Sequence, residues 1–216
     1  MRSRRRDLAD VVETSALAVS GLFFIHMLRG LFHLSAAHLG IVPRTVPGLV
    51  GVVFGPVLHA HWNHVLANAM PLFVFLILLL SDRRYHPSRT LAMIWVTSGI
   101  GTWLIGRGHA VHIGASGLVF GLAAYLIVAG FLMKSWRAAL VAAIVLLLFG
   151  GMFYSVLPQN GPVSWEDHLC GALAGAWTAR DHPRQISLKS IFHATRVPWS
   201  NRTRTRSRWS SIIFRV

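Results

Sequence analysis

Apolar residues in this chain gather into six blocks, at roughly 11–34, 64–80, 90–106, 112–132, 138–157 and 165–179. Each reads as a membrane-spanning helix. Several fall short of the usual length of about 20 residues, which predicts that their ends sit in protein-lined or watery surroundings rather than in lipid. The first block is the least clean, because His26, Arg29 and His33 interrupt its second half. Asp7, Asp10 and Glu13 separate its apolar run from the basic N-terminus, so it reads as a retained span and not as a cleaved signal peptide. The block at 138–157 is the most uniformly apolar.

Composition narrows the class. Of 216 residues, 54% are hydrophobic and 13% charged, where soluble domains carry about 25% charged residues. That is too little charge for a water-facing surface, and an aromatic share of 11% excludes disorder. The expected fold class is an all-α membrane protein, a polytopic bundle of six transmembrane helices. Cys170 is alone and forms no internal disulfide.

The net charge of +14 is explained by its placement. With six spans, the N-terminus, the 81–89 and 133–137 loops and the C-terminal tail share one side and hold 18 of the 21 Lys and Arg residues. Only Arg29, Arg44 and Arg107 lie toward the other side. Such asymmetry orients the chain with both termini in the cytoplasm of a cell-membrane protein, and no nucleic-acid partner is needed to explain it. The expected organisation is a basic cytoplasmic N-terminus (1–10), a six-helix domain (11–180) and a basic cytoplasmic tail (181–216). The tail reads as solvated. Its interspersed Trp199, Trp209 and Ile212–Phe214 also suit contact with anionic lipid headgroups. The sequon at Asn201 falls on the cytoplasmic side and is expected to be unused.

Polar residues inside spans are expensive, so each is a functional candidate. Span two opens with His59, His61, His64 and Asn68, span four with Gly114-Ala115-Ser116-Gly117, and span six with Glu166-Asp167-His168. These spans run in the same direction, which puts the three polar groups at similar depth in the outer leaflet. His64 and Asn68 are four residues apart and share a helix face. Gly117 with Gly121, and Gly171 with Gly175, form two small-residue faces that let spans four and six approach closely and bring Ser116 beside His168. A serine next to a histidine supports nucleophilic acyl transfer, with imidazole accepting the hydroxyl proton. The Ser116 amide at a helix start, with His64 and Asn68, supplies donors for the oxyanion.

Three motifs in order, His64-Val-Leu-Ala-Asn68, Gly114-Ala-Ser116-Gly117 and His168-Leu-Cys-Gly171-Ala-Leu-Ala-Gly175, give a close resemblance to the rhomboid intramembrane serine proteases over about 40–180. The resemblance implies Ser116 as nucleophile and His168 as base without a third acidic member. It assigns oxyanion stabilisation to His64, Asn68 and the Ser116 and Ala115 amides. It implies no cofactor, and transmembrane segments of other membrane proteins as substrates. Two departures stand out. Phe120 occupies the position where many members carry a tyrosine that packs on the histidine, and 35–57 lacks the Trp-Arg pair often seen in the first external loop.

Taken singly, several of these residues read as structural. His59 and His61 suit the water interface, Cys170 a packing role beside the histidine, and Glu166 and Asp167 a solvated helix start with side chains pointing away from the site. Two rivals to the protease reading remain: a catalytically inactive rhomboid-like client-binding protein, and a His-rich metal-binding membrane protein using His59, His61, His64, His112, Asp167 and His168. Against the metal reading, His-x-His on a helix points its rings in different directions.

Overall fold

The computed structural model of the chain describes residues 7–35, 37–161 and 163–194. Its contacts divide it into two units, Met1–Arg180 and Asp181–Val216, and the candidate site residues all lie in the first. Residues 1–6 of the basic N-terminus, and the tail from 195 on with Trp199, Trp209 and the sequon, lie outside the described residues.

Among the described residues the protein is helical, with an isolated bridge between Ile41 and His112 in place of any sheet. The helices are α1 (Leu8–Leu31), α2 (Val50–Phe54), α3 (Trp62–Leu80), α4 (Pro87–Ile105), α5 (Ser116–Leu132), α6 (Trp136–Phe149) and α7 (Trp165–Ala194). Local chemistry explains where they begin. Asp7 caps α1 by accepting the Ala9 N–H, and His61 Nδ1 caps α3 by accepting the His64 N–H at 3.1 Å. Pro87 opens α4, where a missing N–H costs nothing. The expected blocks are found as helices with most edges shifted by a few residues, whereas the sixth, expected to end at 179, continues as α7 to Ala194. The block at 138–157 divides into α6 and a 3₁₀ segment, Gly150–Val156. Together with α1 and α3, that stretch is long and apolar enough to cross a membrane. Among the described residues this is an all-helical bundle.

The centre of the bundle is α5, whose residues are buried without interruption from Ser116 to Leu126. It packs against α3, α4 and α6, while α1 packs on α3. Its contact with α7 is backbone to backbone. A Cβ on Gly171 would lie 2.2 Å from Gly117 O, and one on Gly175 would lie 1.9 Å from Gly121 O. No side chain of any size fits there, so the glycines set the spacing that carries the start of α7 up to the start of α5.

The Pro/Gly-rich stretch after α1 is more ordered than its composition suggests. It folds into short 3₁₀ turns and α2, held on α4 by tryptophans: Trp95 Nε1 donates to Val52 O at 3.0 Å, and Trp103 Nε1 to Thr45 O at 2.8 Å. The three arginines expected away from the cytoplasmic side all donate to backbone carbonyls. Arg29 binds His59 O, Arg44 binds Leu104 O and Gly106 O, and Arg107 binds Gly161 O and Val163 O.

Candidate active site

The turn before α5 aims Ser116, and its backbone is tied at three successive places. His112 pairs with Ile41, the Gly114 N–H donates to Gly55 O at 2.9 Å, and the Ala115 N–H donates to His59 Nε2 at 3.3 Å. Gly114 has φ +126°, a conformation that L side chains rarely adopt. It also cannot carry a side chain for a second reason. A Cβ there would lie 2.6 Å from the His64 ring and 3.6 Å from Asn68 Nδ2. The polar ends of His64 and Asn68 therefore lie over the residue two before Ser116. Asn68 Nδ2 donates back to His64 O at 3.1 Å, which fixes its amide.

His59 departs from its expected place at the water interface: it is fully buried. Its Nε2 accepts the Ala115 amide, so that nitrogen carries a lone pair and the ring is neutral. Burial in the loop before α3, reinforced by the neighbouring His64, holds its pKa down to about 4. One consequence is a correction to the sequence-based assignment. The Ala115 N–H is committed to His59 and is not free for an oxyanion. The Ser116 N–H, among the first amides of α5, has no intrahelical acceptor. His61, in contrast, is exposed, as expected.

His168 is held from two directions. Its ring stacks on Phe120, centroids 4.2 Å apart and planes 13° from parallel, so the phenyl ring supplies the packing without a hydroxyl. Its Nδ1 lies 3.1 Å from both Ser155 O and Ser155 Oγ. A carbonyl oxygen can only accept, and the Ser155 hydroxyl proton is given to Met152 O, so Nδ1 is the protonated nitrogen. In its neutral form the ring then carries its lone pair on Nε2. That is the tautomer a general base needs.

The Ser116 hydroxyl does not meet that lone pair here. It donates to Asp167 Oδ2 at 2.8 Å, while Thr102 Oγ1 donates to Asp167 Oδ1 at 3.0 Å. The expectation of a solvated Glu166 and Asp167 is overturned, since they are 1% and 8% exposed. Glu166 is paired with Arg107 at 2.7 Å. The physical reason is the glycine face of α7: Asp167 lies four residues before Gly171, so it points with that glycine toward α5. Sequence reasoning missed Asp167 as a partner of Ser116 although this spacing was available to find it. It also missed Ser155, because nothing in its local sequence distinguishes a serine at the end of a span.

Ser116, His168, His64 and Asn68 line one cavity of about 920 Å³. Its remaining wall is mainly apolar and comes from α3 through Pro71, from α6 through Phe149 and from the 3₁₀ segment through Met152. Cys170 is buried on the opposite side of α7, against Gly101. Among the described residues no group of three or more His, Cys, Asp or Glu is placed to hold a metal.

Comparison with known proteins accords with this arrangement. The Rhomboid domain model matches residues 46–180. The chain belongs to the rhomboid family. Relatives of this rhomboid chain include uncharacterized proteins of Mycobacterium tuberculosis and Mycobacterium bovis, each 44% identical over 151 residues, or 65% of this chain and 62% of theirs. An uncharacterized protein of Mycobacterium leprae is 39% identical over 169 residues, 73% of this chain and 66% of its own. The rhomboid chain thus matches these relatives over a little less than two thirds of their length. No solved structure matches it. Family membership and the apolar helices together make it an integral membrane protein.

Proposed function

We propose that this rhomboid is an intramembrane serine endopeptidase that cleaves transmembrane segments of other membrane proteins. The observation that carries the reading is the shared cavity. Ser116 lines it together with His168, whose Nδ1 is tied to Ser155 and whose Nε2 holds the lone pair. Ser116 Oγ attacks the scissile carbonyl and its proton passes to His168 Nε2. The tetrahedral oxyanion is met by the Ser116 N–H, His64 and Asn68. Collapse breaks the C–N bond, the amine leaves with the proton from His168, and water then hydrolyses the acyl-serine by the same route. The mainly apolar wall between α3 and α6 suits a hydrophobic peptide segment better than a soluble one.

The domain organisation we assign is the one expected from charge, with a basic cytoplasmic N-terminus (1–10), a protease domain (11–180) and a basic cytoplasmic tail (181–216) in the cell membrane. Anionic lipids are the partner we assign to the tail. A fluorophosphonate probe is expected to label the detergent-solubilised protein at Ser116. Ser116→Ala and His168→Ala are expected to lower labelling at least a hundredfold, and undiminished labelling of Ser116→Ala would sink the assignment. The inactive, client-binding reading has one specific observation in its favour, the Ser116 hydroxyl turned to Asp167. It requires that neither the wild type nor any site variant reacts with the probe.

A further inference from the structure

Ser116 has one hydroxyl proton, and the structure gives it to a carboxylate. We propose that Asp167 is a positioning residue that latches the nucleophile: it holds the Ser116 hydroxyl in a resting orientation that must be released before attack. The inference rests on the reading of Ser116 as nucleophile and His168 as base.

The latch is built, not incidental. Asp167 is fixed at both oxygens, Oδ1 by the Thr102 hydroxyl and Oδ2 by Ser116. Its seat exists because residue 117 is glycine, where a Cβ would lie 2.7 and 3.1 Å from the two carboxylate oxygens. Among the described residues Asp167 forms no ion pair; its acidic neighbour, Glu166, has Arg107. A buried carboxylate with only two hydroxyl donors holds each of them firmly, because hydrogen bonds to charged acceptors are the stronger class and losing one leaves charge unsatisfied.

Two costs then fall on the chemical step. The Ser116 O–H must rotate about Cα–Cβ and exchange Asp167 Oδ2 for His168 Nε2 before its proton can be removed. The oxyanion must also develop beside a carboxylate of the same sign. Neither cost is paid when a substrate merely enters the cavity. Asp167 therefore depresses kcat and leaves KM largely alone. This direction is opposite to that of an acid that assists the histidine.

The test compares wild type with Asp167→Asn and Asp167→Ala in the full-length, detergent-solubilised protein. The readouts are the rate of fluorophosphonate labelling and the cleavage of a single-span reporter with small residues at its centre. Asparagine keeps the size and a weaker, neutral acceptor; alanine removes the acceptor. The latch predicts labelling about tenfold faster in Asp167→Asn, which converts to about 1.4 kcal/mol. It predicts an at least equal gain in Asp167→Ala, and kcat raised with KM within about twofold. A purely structural role would slow both variants in step with a loss of thermal stability.

Wild-type labelling that is unchanged or slower in both variants overturns the latch and leaves the protease reading standing. A silent wild type with labelled Asp167→Asn supports both. Silence in wild type and in both variants removes both, and separates that failure from the first.

Discussion

At the scale of single residues, the site depends on which atom holds each proton. His59 is the clearest case. Its neutral form accepts the Ala115 amide, and its pKa is held down to about 4 from an ordinary 6.5, first by burial and then by His64. The unfolded chain takes up a proton as pH falls below about 6.5, whereas the folded site resists until about 4. Folding therefore carries no penalty from His59 above pH 6.5, and a growing one between 6.5 and 4. The penalty grows to roughly 3–4 kcal/mol at about 1.36 kcal/mol per pKa unit. The melting temperature of the detergent-solubilised protein is expected to fall over that interval, and less steeply in His59→Asn. Equal slopes in the two proteins would remove His59 as the cause. The same logic orients His168, since the Ser155 carbonyl can only accept and so assigns the Nδ1 proton, which leaves Nε2 for the role of base in the proposed reaction.

At the scale of elements, apolarity alone does not say where a helix goes. Both α5 and α6 are apolar along their length, yet α5 is buried throughout its first three turns and most of α6 is not. What separates them is the glycine spacing on α5 and its match on α7, and both were legible. Glycines at contacts and glycines elsewhere should respond oppositely to a methyl group. Gly175→Ala puts a Cβ 1.9 Å from Gly121 O and is expected to destabilise by about 1–3 kcal/mol or to prevent folding. Gly21→Ala meets nothing within 4 Å in the interior of α1 and is expected to stabilise by about 0.5–1 kcal/mol. Thermal melts of the two variants check the pair; similar shifts would argue against a close α5–α7 crossing.

At the scale of the molecule, orientation is the quantity that charge determines. In the orientation we propose, the basic 81–89 and 133–137 loops face the cytoplasm and the loops near the site, with Arg44 and Arg107, face the other side. The single native cysteine, Cys170, is buried and should stay silent to a membrane-impermeant maleimide. His109→Cys and Lys134→Cys place thiols at exposed positions that this orientation puts on opposite sides. In intact cells the first is expected to be labelled and the second protected until the membrane is broken. The reverse pattern would invert the topology.

The spans, the family and the polar cluster in spans two, four and six followed from the sequence. Hydropathy sets membrane partition, and small-residue spacing survives as a local pattern along one helix. The partners of individual atoms did not follow. Whether the Ala115 amide is free, whether Asp167 is solvated, and what holds the far side of the His168 ring depend on residues 13 to 56 positions away in the chain. Such contacts leave no local periodicity. Only tertiary packing, with α5 and α7 in backbone contact and the 3₁₀ segment folded back over His168, decided that the serine rests on a carboxylate.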